Sequence, residues 1–250
     1  MSNEAKRASG RIAVALALVL LLLGVLTPGP MRAQVGHAPE DSPFRDITTR
    51  QSVLVGLGWF SGNRAEAGVG AQGGLSFNFR LQTRLSGPID LLASLSYIKS
   101  KRYVLDPDLP PATRQTGPID YNLVATDLGL GLNVTGAKSW HGFAPYVAAG
   151  IGIFLPTHSV VDPGGYQAKS NFTFGPMLGV RYLIGSSLGL QVEARDNTIR
   201  YEWPLQYFRP TDSSGNSLPI TPVLDPTTFD SKQVTHNLSL SVSAIYRFSF

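Results

Sequence analysis

Acid–base and nucleophilic catalysis need a histidine within hydrogen-bond reach of a hydroxyl or a carboxylate. The chain has four histidines, His37, His141, His158 and His236, of which His158 stands beside Ser159. There is no cysteine, which excludes disulfides, thiolate metal ligands, a cysteine nucleophile and a lipidated amino-terminal cysteine. The glycine-rich stretches Gly70–Gly74 and Gly129–Gly131 lack the following helix whose amino terminus would hold a phosphate. A second set of polar groups consists of single charges set among small and apolar residues: Arg80, Asp90, Asp127, Arg181, Glu193, Arg195 and Arg247. Acids and bases in such isolation suit mutual ion pairing, and no catalytic, cofactor or metal site is expected from them.

The excess of 21 basic over 17 acidic residues suggests a nucleic-acid partner only until the amino terminus is set aside. Lys6, Arg7 and Arg11 precede an uncharged apolar run from Ile12 to Leu26, followed by Thr27, Pro28, Gly29 and Pro30. This is the layout of a secretory signal peptide. At about 1.5 Å per residue the run reaches roughly 22 Å, short of the roughly 30 Å hydrocarbon core an anchor must cross. Cleavage is expected after Ala33, with Ala38 the other small candidate, disfavoured by Pro39. Removing residues 1–33 takes away Lys6, Arg7, Arg11, Arg32 and Glu4 and leaves 17 basic residues against 16 acidic, so no nucleic-acid partner is expected.

After a polar lead over residues 34–50, alternation with period two replaces any helical period. In Val69–Leu81 the odd positions are apolar or small, with Leu75, Phe77, Phe79 and Leu81 the largest, and the even ones carry Gln72, Ser76, Asn78 and Arg80. Val234–Phe250 shows the same split, with only Ile245 interrupting the polar set. Ser52–Phe60, Ile89–Tyr97, Val124–Val134, Phe143–Leu155, Phe172–Ile184 and Leu188–Arg200 complete eight predicted strands. Each is long enough to cross a bilayer, which takes about 9 to 11 tilted residues, whereas soluble sandwiches use strands of about 5 to 6. Turned inward, Phe77, Phe79, Tyr97, Phe172, Phe174 and Phe248 would compete for an interior that is narrow with eight strands, so the apolar face is placed outward. The connections, 61–68, 82–88, 99–123, 135–142, 156–171, 185–187 and 201–233, alternate long and short after a modest first one. Both termini then lie on the short-turn side, the periplasmic side of an outer-membrane barrel.

The reading is all-β: an eight-stranded antiparallel up-and-down transmembrane β-barrel over residues 51–250, after a signal peptide (1–33) and a periplasmic segment (34–50). Its closing string AIYRFSF places Tyr246, Phe248 and Phe250 on alternating positions. In this the chain resembles the small outer-membrane β-barrel proteins of Gram-negative bacteria, the group that includes the OmpA transmembrane domain, OmpX and Ail. The resemblance implies export to the outer membrane, lipid as surroundings, and recognition of Tyr246, Phe248 and Phe250 by the barrel-assembly machinery. Two departures stand out. Pro176 in the sixth strand should break the ladder, with Gly175 suggesting a bulge, and no peptidoglycan-binding domain is expected after the barrel.

With the polar face inward, Arg80, Asp90, Asp127, Arg181, Gln191, Glu193, Arg195 and Arg247 point into the lumen. Arg80 and Asp90 are expected near each other across the turn around Ser86, and Arg181, Glu193, Arg195 and Arg247 to gather from three consecutive strands. Such a cluster reads as a structural plug. Trp59, Phe60, Trp140, Tyr146, Trp203 and Tyr207 are assigned to the aromatic girdles, with sugar or ligand stacking an alternative for Trp203 and Tyr207. His37 falls in the leader, His141 in a periplasmic turn, His158 in an external loop and His236 at the outer end of the last strand, none in the pattern associated with lipid A deacylase barrels. The expected role is non-enzymatic and without cofactor: structural, or contact with an unidentified surface ligand or host partner through the external loops. The alternatives are a narrow pore or small-molecule transporter, and a secreted soluble barrel carrying an apolar ligand.

Overall fold

The computed structural model describes residues 42–158, 160–211 and 215–249. The signal peptide, the first part of the 34–50 lead, Ser159 and Phe250 lie outside the described residues.

Eight long strands build the barrel: β2 (Gln51–Ser61), β3 (Gly74–Ser86), β4 (Ile89–Ile98), β7 (Leu123–Asn133), β9 (Phe143–Pro156), β10 (Asn171–Ile184), β11 (Leu188–Glu202) and β12 (Lys232–Phe248). Each pairs antiparallel with the next. The ring closes where the last strand, β12, meets the first, β2, at Val242↔Leu57. Closure leaves no free edge in the membrane, where an unpaired backbone group has no water to bond. The outward positions follow the alternation seen in the sequence: Val55 and Leu57, Phe77 and Phe79, Leu128 and Leu130, Ile151 and Ile153, Leu178 and Val180, and Leu240 and Val242 are all exposed. On β10 this run extends from Ile184 to Phe172, roughly 30 Å along the barrel axis at the usual rise and tilt. A continuous apolar belt of that height on a closed barrel is a bilayer-facing surface, and the architecture is that of an outer-membrane barrel with its short turns on the periplasmic side.

Three features differ from the sequence reading. First, β3 runs from Gly74 to Ser86, so it starts five residues later and ends five residues later than expected. Val69 and Ala71 keep the alternation but are buried among loop residues outside the belt. Second, the long β4–β7 connection is not bare loop, since β5 (Lys101–Leu105) and β6 (Gln115–Asp120) form a hairpin there. Third, the lead contains β1 (Phe44–Asp46), which pairs with β8 (Lys138–Trp140) in the turn before β9.

Pro176 acts on one side only. The β9–β10 register runs unbroken through Pro176↔Ala149, so no bulge forms at Gly175. The β10–β11 ladder, however, rises from Ile184↔Leu188 only to Met177↔Arg195. Above it the Thr198 hydroxyl replaces the ladder, accepting from the Phe174 N–H at 3.0 Å and donating to the Phe174 carbonyl at 3.0 Å. The missing proline N–H therefore lets the two strands part toward the outer end, where a cleft of about 430 Å³ opens beside Lys169, Asn171, Arg200 and Trp203.

Candidate functional site: the lumen and the loop cap

The lumen charges sort into layers along the axis. In the middle, Arg80 grips Glu193 with two bonds, Nη1 to Oε2 at 2.5 Å and Nη2 to Oε1 at 2.8 Å. The Tyr146 hydroxyl donates to the same carboxylate at 2.5 Å. Arg195 reaches across to Asp127 at 2.6 Å. Gly175 and Gly179 make room for these groups: a Cβ on Gly175 would fall 2.6 Å from Arg195 Nε, and one on Gly179 2.5 Å from the Tyr146 hydroxyl. A cavity of about 50 Å³ remains, bordered by Ser94, Glu193, Arg195 and Ser241 among others. That is room for a few waters.

Nearer the periplasm, Asp90 Oδ2 accepts from Gln82 Nε2 at 2.7 Å, Asn133 Nδ2 at 2.9 Å and Arg181 Nη1 at 3.0 Å. Arg181 also donates to Asn133 Oδ1 and Gln191 Oε1, and its guanidinium lies 4.2 Å from the centre of the Tyr146 ring. Arg247, one layer lower, bonds among the described residues only to backbone carbonyls, those of Gly185 at 2.6 Å and Leu188 at 3.3 Å.

All seven sequence-predicted lumen residues point inward and are buried. Their pairing differs from expectation. Because β3 continues to Ser86, the residue opposite Arg80 is Ser94 and the residue opposite Asp90 is Arg84. Arg80 instead spans the lumen to Glu193. Likewise Arg181, Glu193, Arg195 and Arg247 are not one cluster, since Arg181 and Glu193 have separate partners and Arg247 stands apart at the periplasmic end. Arg84 was hidden in a supposed turn.

Above the belt the loops fold into a cap with its own apolar centre, made by Phe60, Val69, Leu105, Tyr121, Phe154, Tyr166, Tyr201, Trp203, Tyr207 and Leu224 with their neighbours. Trp203 stacks on Tyr201 at 5.4 Å and on Tyr207 at 5.9 Å, and packs against Tyr166 at 5.6 Å. Within this shell Arg102, only 1% exposed, makes a bidentate pair with Asp162, at 2.7 Å and 3.0 Å. Burial pushes the Tyr121, Tyr166 and Tyr207 phenols well above their usual range. The girdle assignment is thus corrected for four of six aromatics. Trp59 and Trp140 do face outward, but Trp203 and Tyr207 sit inside the cap, Phe60 is buried beneath it, and Tyr146 is in the lumen. Nothing local marks the Arg102–Asp162 pair, since its members lie 60 residues apart in different loops.

The described histidines are dispersed. His236 is on the outward face, Nδ1 2.7 Å from Asp196 Oδ2. His158 Nδ1 lies 3.2 Å from Thr157 Oγ1 in a loop, and His141 is in the β8–β9 turn. Of the assembly string, Tyr246 is exposed to lipid and stacks with Phe248 at 6.0 Å.

No protein-family model matches the sequence, and no curated protein matches it. Among solved structures the chain is similar to Neisserial surface protein A, at 18% identity over 83% of this chain and 98% of that one, with a TM-score of 0.42. It is similar to the outer membrane protein OprG of Pseudomonas aeruginosa, at 10% identity over 84% and 100%, with a TM-score of 0.49. It is also similar to Ail, the attachment invasion locus protein of Yersinia pestis, at 9% identity over 80% and 99%, with a TM-score of 0.39.

Proposed function

We propose that this outer-membrane barrel is a closed, non-enzymatic surface protein: its lumen is plugged by the Arg80–Glu193, Arg195–Asp127 and Arg181–Asp90 pairs, and its working surface is the loop cap. The observation that carries this reading is the cap itself. Loops that merely joined strands would have no need of an aromatic centre and a buried ion pair, whereas a presented surface needs a rigid base. Over that base Leu109, Val160, Val161, Leu205 and Phe229 remain exposed outside the belt, Leu205 at 72%. Apolar side chains left outward on an otherwise well-packed cap favour contact with a partner.

The test has two arms. In planar bilayers the protein is expected to stay silent, and steady conductance would replace the plug with a pore. In cells displaying the barrel, Leu205→Ser with Val161→Ser is expected to abolish adhesion to a surface that the unaltered protein binds, with the heat-dependent gel shift of the barrel unchanged. Adhesion that survives these substitutions would remove the loops from the function.

A further inference from the structure

Among the described residues, the periplasmic end of the barrel carries more positive charge than its carboxylates neutralise. The middle of the lumen is balanced, Arg80 with Glu193 and Arg195 with Asp127. Below it Arg84 and Arg181 share the carboxylate of Asp90, whose Oδ2 already accepts three bonds and whose Oδ1 stands 3.8 Å from Arg84 Nε. Arg247 is the extreme case. It is 7% exposed, no carboxylate pairs with it among the described residues, and its Nε is buried without a hydrogen-bond partner. A buried guanidinium held only by backbone carbonyls is costly unless an anion reaches it.

A route for that anion is present. A pocket of about 440 Å³ opens beside Arg247, lined also by Arg45, Asp46, Ser139, His141 and Gly142. Its walls are set by the unexpected β1–β8 pairing, reinforced where the His141 N–H donates to the Pro43 carbonyl at 2.9 Å. Asp46, the one acid on the rim, leans toward Lys138 at 3.8 Å. The pocket's depth in the membrane is marked by aromatic side chains: Trp140, Phe143 and Tyr182 are exposed around it, with Phe143 and Tyr182 in contact at 4.8 Å. Aromatic rings gather at headgroup level, where an apolar body and a polar edge are both accommodated.

We infer that this pocket binds the phosphodiester of an anionic phospholipid of the periplasmic leaflet. Arg247 and Arg45 supply the charge, Ser139 and His141 supply further hydrogen-bonding groups, and the acyl chains run along the belt toward the membrane centre past Phe143 and Tyr182. An oxyanion suits this pocket because two guanidinium groups, those of Arg45 and Arg247, border it, and charge-assisted bonds from a guanidinium to a phosphate oxygen are stronger than those to water. The site lies at the opposite end from the cap and does not depend on the role of the loops.

The test is native mass spectrometry of the full chain folded in dodecyl maltoside and loaded with phosphatidylglycerol. One phosphatidylglycerol is expected to stay on each barrel through detergent release, and Arg45→Gln with Arg247→Gln to weaken retention about tenfold, the worth of one charge-assisted bond. Lys232→Gln, at the outer end of β12, is expected to keep it. Equal retention by the double variant and the unaltered protein would overturn the proposal. So would complete displacement of the lipid by inorganic phosphate, which would make this a site for a free anion. Should Arg247→Gln fail to give the heat-dependent gel shift, Arg45→Gln alone decides, because Arg45 is exposed on β1, outside the barrel wall. Retention unchanged by that single substitution would equally sink the lipid site.

Discussion

At the scale of single residues, context decides what a charge is worth. Asp46 and Lys138 approach to 3.8 Å with both side chains more than half exposed, whereas Arg80 and Glu193 meet with 9% and 5% of their side chains exposed. Solvent screens the first pair and it should contribute little. In the second, removing one partner leaves a buried charge unpaired, so Glu193→Ala is expected to cost about 3–5 kcal/mol and Asp46→Ala less than about 0.5 kcal/mol. Urea midpoints of the heat-dependent gel shift would measure both, and equal losses would mean that Arg80 finds water once Glu193 is gone. The cap tyrosines give a pH signature of the same origin. Burial raises the Tyr121, Tyr166 and Tyr207 phenols above their unfolded value, so the stability they contribute is complete below about pH 10 and is lost as pH rises toward their folded values. Absorbance at 295 nm should therefore lag the ordinary phenol titration until the cap opens cooperatively. A smooth titration of all nine tyrosines near pH 10 would show the cap to be permeable to water.

At the scale of strands, Pro176 is the informative defect. Its nitrogen would face β11, as the Phe174 nitrogen does, so the ladder stops there while the β9 side remains paired. Pro176→Val supplies the missing donor and should let β10 and β11 close toward Phe174 and Thr198. The expected gain is about 0.5–1.5 kcal/mol, the net worth of one hydrogen bond, with slower amide exchange over residues 171–175 and 197–200. Unchanged exchange there would mean that the loops, and not the proline, hold the strands apart. This strand was also where the sequence was only half legible. Alternation is imposed by lipid on one face and a crowded lumen on the other, so the facing of the belt residues and of the lumen charges could be read directly, Ile245 included, whereas Phe60 and Tyr146, assigned to the girdles, face inward. Alternation does not say where a strand stops. Val69 and Ala71 carry the pattern past the start of β3 into the cap, and Thr83 and Arg84 carry the strand past the expected turn. That shift alone misassigned the neighbours of Arg80 and Asp90. Trp203 and Tyr207 posed a different difficulty, because an aromatic near a strand end has the same local sequence whether it meets headgroups or other loops.

At the scale of the whole molecule, the proposed reading has two separate structures closing one tube. The ion pairs fill the lumen from strand to strand, while the cap covers the outer mouth with loop residues that share no hydrogen bond with Arg80 or Glu193. Their energetic origins differ as well, fixed charges in a narrow interior against burial of aromatic surface, so neither should weaken when the other is lost. Replacing Arg80 and Glu193 together by serine removes one of the two ion pairs in the middle of the lumen and leaves no unpaired charge between them. Replacing Trp203 and Tyr207 by alanine removes stacked side chains from the centre of the cap, each at about 3–5 kcal/mol of local stability. In planar bilayers either pair alone is expected to remain silent, because one seal still stands, and only the four-residue variant should conduct. Conductance from the lumen variant alone would show that the cap is a porous surface over a sealed barrel. Conductance from the cap variant alone would assign the seal to the loops and leave the lumen pairs a role in holding the strands together.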